Sequence, residues 1–210
     1  MKRKKLVVWS GGMDSTLLLT DIANEFSTKE DPIIAYSFIT DFLDGNKRVM
    51  ERRARNRFLK WANKKGYNIE HKEVSVSCGD NVSPNGWAQG LFWFSFIVPF
   101  IPDNCDVYFG YVQGDGIWLA VNEFYKAYGN LSYIGKKKNS ELHYPFAYKD
   151  KWEVIQGIQN YRIPSKCFWT CETPIKKNNK IRACGKCEPC ITLQVAKYDF
   201  RVRRKLKNKI

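Results

Sequence analysis

The sequence has no apolar run that is long enough to cross a bilayer, which takes about 20 residues. Its longest apolar stretch, Leu91 to Ile101, is interrupted by Ser95 and Pro99 and is predicted to be a buried helix. The N-terminus also lacks the apolar core of a signal peptide, because only a short apolar segment follows the basic residues 2–5. These absences predict a cytoplasmic protein that has no membrane partner.

The chain also lacks the composition of a disordered protein, since apolar residues make up 44% and aromatic residues 15% of it. No internal repeat and no linker rich in proline and serine divides its 210 residues, a length that suits one domain. We therefore expect an α/β domain at residues 1–145 and a C-terminal segment at residues 146–210, packed together as one structural unit.

Negative charge is scarce relative to positive charge, and the formal net charge is +14 at pH 7. A field of this sign predicts an anionic partner, and a nucleotide, a tRNA or DNA would each fit it. A surface that is merely rich in lysine explains the charge equally well.

Short β-branched apolar runs alternate with helical patterns through the first part of the chain. Strands are predicted at Lys4–Trp9, Ile33–Ile39, Ile69–Val76 and Asp106–Val112, and helices from Ser15, at Lys47–Lys65, at Leu91–Ile101 and at about Ile117–Tyr128. Such alternation predicts a parallel, twisted sheet with helices on both faces and a ligand at the carboxyl ends of the strands. A short segment at Leu142–Phe146, a helix at about Asp150–Asn160, a cysteine-rich hairpin and a last helix follow.

The first strand ends in a loop that is suited to binding phosphate, at residues 10–16. Gly11 and Gly12 allow a phosphate to approach the backbone, and a helix N-terminus follows them. Ser10 and Ser15 add hydroxyl donors, and Asp14 either caps the helix or holds Mg²⁺. The loop lacks the lysine of the Walker motif. The alternative is a glycine turn that is capped by Asp14.

The pattern Ser-Gly-Gly-Met-Asp-Ser, between a strand and a helix, resembles the signature of the PP-loop family of N-type ATP pyrophosphatases. Enzymes of that family cleave ATP between its α and β phosphates and leave AMP on the acceptor. The resemblance implies that Ser10, Gly11, Gly12, Met13, Asp14, Ser15 and Thr16 bind ATP.

Four of the seven cysteines have the spacing of a metal site. Cys184, Cys187 and Cys190 follow one another at three-residue intervals, and Cys171 lies thirteen residues upstream of the first. Four thiolates make a closed tetrahedral Zn²⁺ site, for which an iron–sulfur cluster is the competing interpretation. Cys167 is the alternative to Cys171 as the fourth ligand.

The remaining cysteines, Cys78 and Cys105, and the two histidines, His71 and His143, receive no role from their sequence context. Free cysteines are ordinary in a reducing compartment.

Together, the N-terminal loop and the C-terminal cysteines resemble the 7-cyano-7-deazaguanine synthase family from end to end. Pro145, Lys151 and Glu153 also match positions of that family. The resemblance implies an enzyme that adenylates the carboxylate of 7-carboxy-7-deazaguanine, lets ammonia displace AMP to form an amide, and spends a second ATP to form the nitrile used in queuosine-type modification of tRNA or DNA. It implies ATP, Mg²⁺ and Zn²⁺ as cofactors and Asp14 and Lys151 as catalytic residues.

The sequence departs from the family where the base should be recognised. The family's Tyr-Gln-Arg-His, Arg-Asn and Gly-Tyr-Pro-Asp-Cys stretches are replaced by Phe42–Arg48, Asn85–Gln89 and Gly116–Ala120. Asp115 is the one family-like acid beside the last of these, and we expect it to hold the edge of the base. Trp87 and Trp118 are expected to stack on the base, and Trp93 lies in the same region.

Two other interpretations remain. In the first, the protein is a tRNA-modifying PP-loop enzyme whose last helix binds RNA phosphates through the basic residues of Lys197–Lys209. The alternative for this helix is an ordinary amphipathic helix with Val195, Tyr198 and Val202 facing the core. No cysteine pair near the loop supports thiolation. A non-catalytic relative would only bind nucleotide or nucleic acid. A homodimer is compatible with each interpretation, and nucleic-acid contact is not favoured.

Overall fold

A five-stranded parallel sheet carries the fold of this computed structural model, which describes residues 2–40, 44–77 and 88–207. Its strands are β1 (Lys4–Val8), β2 (Ile33–Thr40), β3 (Ile69–Val76), β4 (Cys105–Tyr108) and β5 (Ser140–His143). They are arranged in the order β3-β2-β1-β4-β5, and every pairing is parallel. The predicted parallel sheet is confirmed. Trp87 and Cys78 lie outside the described residues.

Six α-helices connect or follow the strands in the described parts of the chain. They are α1 (Met13–Phe26), α2 (Gly45–Lys64), α3 (Ala88–Ile97), α4 (Val121–Ile134), α5 (Lys151–Asn160) and α6 (Glu188–Lys207). Short 3-10 helices span Val98–Phe100, Gly116–Ala120 and Ser165–Cys167, and an antiparallel hairpin pairs β6 (Ile175–Lys177) with β7 (Lys180–Arg182). None of the described helices is both long and apolar enough to cross a membrane.

Helices cover both faces of the sheet because consecutive strand residues point to opposite sides. Val7 belongs to a core cluster with residues of α1, α2, α5 and α6, whereas its neighbour Leu6 belongs to a cluster with residues of α3 and α4. Leu17 and Val154 share the first cluster, so residues of the N-terminal and C-terminal parts are packed in one core.

The fourth strand and the helix after it differ from their predicted bounds. β4 ends at Tyr108 rather than Val112. The chain then turns at residues 113–114, where the backbone N–H of Val112 donates to the Asp115 carboxylate over 2.7 Å. The predicted helix begins as the 3-10 turn Gly116–Ala120 and continues as α4 to Ile134. The segment at Leu142–Phe146 overlaps a fifth strand, which ends at His143.

The prediction for the last helix is wrong in its orientation. Val195 and Tyr198 are 56% and 66% exposed, whereas Ala196 is buried and Leu193 and Phe200 pack against the core. Both sets have helical spacing, so the pattern could not decide between them. Cys190 is buried at the start of α6, and this orients the helix so that the residues on its side face inward. The side chain of Val202 lies outside the described residues.

Candidate functional site

The loop lies between β1 and α1, at the carboxyl edge of the sheet where a ligand was predicted. Gly11 has a φ of 91°, in the left-handed region, and a Cβ at this position would lie 3.0 Å from Cγ of Arg55. Ser10 Oγ accepts from the backbone N–H of Gly12 over 3.1 Å and lies 3.0 Å from Ser15 Oγ. The two serine hydroxyls therefore meet at one point beside the helix N-terminus.

Gly12, rather than Asp14, is the N-cap residue of α1, so the cap interpretation of Asp14 is wrong. Asp14 lies in the first turn and forms an ion pair with Lys151. Its second oxygen, Oδ1, is buried and has no hydrogen-bond partner among the described residues. A buried carboxylate oxygen without a partner, beside the free N–H groups of a helix start, fits a site for Mg²⁺ and phosphate.

Two of the predicted loop residues serve the core instead of the loop surface. Thr16 is fully buried, and its hydroxyl oxygen accepts from the indole N–H of Trp9 over 3.0 Å. Met13 is 2% exposed and belongs to the core cluster that contains Leu17. Both residues anchor the start of α1 on the sheet, and so they hold the loop indirectly.

Gly110 is a site residue that the sequence analysis missed. A Cβ on Gly110 would lie 3.0 Å from both Cα and N of Ser15, so the chain after β4 passes directly against the start of α1. Only glycine permits this contact without a backbone shift. The sequence signal was a glycine inside the predicted strand Asp106–Val112, two residues after the observed end of β4 at Tyr108.

Lys151, the first residue of α5, brings a positive charge to the loop from a position 137 residues away from Asp14. Asp115 belongs to the same group of charges. The pKa of Asp115 is raised to about 6, mainly by burial and to a lesser extent by the negative charge of Asp14, while the Val112 N–H and Lys151 oppose the shift. Glu153 is part of the helix start, where its carboxylate accepts from the backbone N–H of Asp150 over 2.7 Å.

The predicted stacking residues lie in packed surroundings. The indole N–H of Trp118 donates to the carbonyl oxygen of Val112 over 2.5 Å, and its ring meets Tyr144 edge-on at 5.4 Å. Trp93 stacks on Phe38 with ring centroids 5.3 Å apart. Trp118 is therefore oriented beside Asp115, whereas Trp93 joins α3 to β2.

Tyr144 and Tyr111 form an aromatic wall next to Asp115 that the sequence analysis did not identify. Their ring centroids lie 6.0 Å apart. The hydroxyl of Tyr144 is buried and has no hydrogen-bond partner among the described residues. Burial and, second, the charge of Asp115 raise the pKa of Tyr111.

The four predicted cysteines come together in the structure. The sulfurs of Cys171, Cys184, Cys187 and Cys190 all lie within 4.8 Å of one another. The β6–β7 hairpin brings Cys184 back to Cys171, whose sulfur accepts from the Cys184 N–H over 3.2 Å. The Thr173 hydroxyl and backbone N–H groups lower the pKa of Cys184 to about 5. This donor set fits a tetrahedral metal ion, and Cys167 lies outside the group.

A second group of potential ligands, Asp106, Glu141 and His143, lies near the amino-terminal edge of the sheet. Burial alone would raise the pKa of Asp106, but hydrogen bonds from Arg3, Lys5 and His143 lower it to about 2. The cations already neutralise Asp106, so this group is an ion-pair cluster that joins the first strand to the last.

The fold and the loop define the class of this protein as a PP-loop α/β protein. The U34-tRNA thiolase NcsA from Methanococcus maripaludis, solved with its 4Fe-4S cluster, has a TM-score of 0.52 and 14% identity, and the match covers 100% of this chain and 74% of that one. An NMN synthetase from Francisella tularensis has a TM-score of 0.46 and 15% identity, over 81% of this chain and 66% of that one. At such identity the likeness to the thiolase concerns the fold alone.

The sequence comparisons lead to one family within this class. Residues 106–198 match the family model for the queuosine biosynthesis protein QueC. A 7-cyano-7-deazaguanine synthase from Marinomonas sp. strain MWYL1 is 26% identical over 218 residues, which cover 90% of this chain and 91% of that protein. These two matches confirm the resemblance to the 7-cyano-7-deazaguanine synthase family, at low sequence identity.

Proposed function

We propose that the protein is an ATP-dependent enzyme that adenylates the carboxylate of a 7-deazaguanine acid and, with ammonia, converts it to an amide and then to the nitrile 7-cyano-7-deazaguanine. The observation that carries this proposal is the group formed by Asp14, Lys151 and Asp115 at the carboxyl edge of the sheet, directly beside the phosphate loop. The family match supports it, because residues 106–198 include Lys151, Asp115 and all four clustered cysteines.

The loop is suited to holding the pyrophosphate part of ATP. The first-turn N–H groups of α1 and the hydroxyls of Ser10 and Ser15, whose oxygens lie 3.0 Å apart, are suited to donate to phosphate oxygens. Asp14 would hold Mg²⁺ through its unpartnered oxygen Oδ1, and this ion supplies charge neutralisation for the departing pyrophosphate. Such a cradle favours cleavage of ATP between the α and β phosphates.

In the proposed reaction an anionic carboxylate must approach an anionic α-phosphate, and the positive charge of Lys151 would reduce the repulsion between them. Its ammonium group lies against Asp14 and is mostly buried, so its charge is poorly screened by water. A fixed positive charge at this point stabilises the crowded negative charge of the transition state. No side chain of the group needs to act as a nucleophile.

The base of the acid is expected to bind on the other side of Asp115. One oxygen of this carboxylate accepts from Val112, which fixes its direction, and the carboxylate can accept from N–H groups on the edge of a guanine-like base. Trp118 and the wall of Tyr111 and Tyr144 offer aromatic surface to its ring. Trp87 remains our proposal for the second stacking surface.

The four clustered cysteines would hold Zn²⁺, which supplies folding free energy in a closed site of this kind. In this arrangement residues 146–210 form a metal-binding C-terminal segment that packs on the α/β domain of residues 1–145.

A product assay separates this function from its alternatives. The purified protein is incubated with Mg²⁺, ammonium, 7-carboxy-7-deazaguanine and ATP labelled in the α-phosphate. We expect AMP and pyrophosphate, together with a deazaguanine product whose mass identifies the amide or the nitrile. Release of ADP would contradict the proposal that the loop binds the pyrophosphate part of ATP. AMP formation that depends on tRNA instead of the acid would identify a tRNA-modifying enzyme. Failure of the acid to bind protein that binds ATP and metal would mean a different acceptor.

A further inference from the structure

A row of charged side chains is buried on one face of α2 and takes no part in the proposed chemistry. Lys47, Glu51 and Arg55 are spaced four residues apart and are only 8%, 6% and 0% exposed. The apolar pattern of the helix, at Ala54 and Phe58, predicts a core face but gives no reason to bury these charges. Buried charges are costly unless each is paired, so their partners identify what the row does.

The row connects the phosphate loop with the cysteine site. At one end, Nη1 of Arg55 donates to the carbonyl oxygen of Ser10 over 2.7 Å. In the middle, Glu51 lies 3.9 Å from Nη1 of Arg55 and 3.7 Å from Nζ of Lys47. At the other end, Lys47 forms an ion pair with Glu172, the residue directly after Cys171. Four charged side chains thus form a continuous path between the two sites.

A second path, made of hydrogen bonds from Trp169, runs alongside the first. The backbone N–H of Trp169 donates to the carbonyl oxygen of Gly11 over 2.8 Å, and its indole N–H donates to the carbonyl oxygen of Cys171 over 2.9 Å. The segment that enters the cysteine site therefore lies directly on the phosphate loop. Arg55 leaves no room for a side chain at Gly11, so the loop, the helix and this segment are in mutual contact.

The row depends on all of its members. Burial, which the charges of Lys47 and Arg55 offset only in part, raises the pKa of Glu51 to about 7, so the charge of this carboxylate depends on both neighbours. Glu172 is the member that the cysteine site positions, because it is joined to the buried Cys171. If the cysteine site opens, Lys47 loses Glu172 and the balance of charge along α2 changes.

We propose that Lys47, Glu51, Arg55 and Glu172 are positioning residues that couple the four-cysteine site to the phosphate loop, so that metal on the cysteines and nucleotide on the loop favour each other. They touch neither ligand and act through Ser10, Gly11 and Cys171. The inference rests on the proposed function of the loop as the ATP site. Coupling of this kind is reciprocal, because a metal that strengthens nucleotide binding must itself be held more tightly when nucleotide is bound.

The test measures both directions in the full chain. Calorimetry gives the affinity of α,β-methylene-ATP with Mg²⁺ for protein loaded with zinc and for protein stripped by a chelator, and a chromogenic chelator gives the rate of zinc loss with and without the analogue. In wild type we expect zinc to strengthen analogue binding about tenfold, a typical coupling, and the analogue to slow zinc loss. In Glu172→Gln, with zinc content confirmed as equal to wild type, both effects should largely disappear.

Matched variants separate coupling from general damage. Glu172→Asp should restore the coupling, and Glu123→Gln, at an exposed acid that pairs with Lys126 on α4, should leave it unchanged. Equal analogue affinity in zinc-loaded wild type and Glu172→Gln, with equal rates of zinc loss, would overturn the proposal even if stripped protein does not stay folded.

Hydrogen exchange separates the coupling from the ATP site itself. Zinc removal should speed amide exchange in residues 9–16 and at Trp169 of wild type, and Glu172→Gln should show the faster exchange while still loaded with zinc. If the analogue fails to bind wild type, the proposed ATP site is refuted, and this exchange pattern still supports the coupling. Exchange that is unchanged by both zinc removal and the substitution would refute the coupling alone.

Discussion

Replacing Gly110 with alanine tests whether the end of β4 holds the phosphate loop in place. The added Cβ would lie 3.0 Å from Cα and N of Ser15 and 3.2 Å from the carbonyl carbon of Asp14. These are backbone atoms at the start of α1, so no flexible side chain can move away and the helix must shift by a few tenths of an ångström. Overpacking of this kind lowers the free energy of unfolding by about 1–3 kcal/mol.

The same shift should reduce catalysis, because Ser15 and Asp14 belong to the proposed ATP site. A displacement of about 1 Å at reacting groups can cost about 100-fold in rate, so a shift of less than half that size should lower AMP formation by about tenfold. Urea unfolding and the AMP assay measure the two effects. Gly129→Ala is the matched control, because a Cβ there, in the middle of α4, meets nothing within 4 Å.

The control should leave AMP formation unchanged and raise the free energy of unfolding by about 0.5–1 kcal/mol, as alanine does at open helical positions. If Gly110→Ala matched Gly129→Ala in both assays, the contact between Gly110 and the loop would contribute neither to stability nor to AMP formation.

Other changes test the remaining parts of the site. Asp14→Asn should lower AMP formation by at least about 100-fold, whereas Glu123→Gln should not, and unchanged turnover would remove Asp14 from the proposed Mg²⁺ site. Cys187→Ser should give insoluble or strongly destabilised protein, since zinc contributes about 10–16 kcal/mol at such sites; metal analysis that finds iron with sulfide would refute the zinc assignment. Because Asp115 has a pKa of about 6 in the folded chain against 3.8 unperturbed, its proton stabilises the folded state at low pH. The free energy of unfolding should therefore decline as pH rises from about 4 to 6, and Asp115→Asn should remove that part of the slope. Calorimetry should show that wild type binds 7-carboxy-7-deazaguanine in the presence of Mg²⁺ and an ATP analogue and that Asp115→Ala does not.

Much of the fold could be predicted because its signals are local. The strand Ile69–Val76 has its predicted bounds, and the loop from Ser10 to Gly12 follows a strand and opens a helix as predicted. Cys184, Cys187 and Cys190 are close in sequence, so their spacing alone brings their sulfurs near one another. In each case neighbouring residues determine the geometry through backbone preference or a short chain connection.

The orientation of elements that lie far apart in sequence could not be predicted in the same way. Two apolar stripes of α6 had equal periodicity, and only the packing of the helix on α5 beside the buried Cys190 exposed Val195 and Tyr198. The charged row of α2 could not be predicted, because no local pattern signals that Glu172 and Ser10 will pair with it.

The sequence by itself therefore determined the proposed phosphate loop, the four-cysteine cluster and the alternation that makes a parallel sheet. Only the tertiary structure decided that Lys151 pairs with Asp14, that Gly110 passes against Ser15 and that Tyr111 meets Tyr144. The physical reason is that short motifs are specified by steric and hydrogen-bonding preferences within a few residues. Contacts across 137 residues depend instead on the order of strands in the sheet and on how helices pack over it.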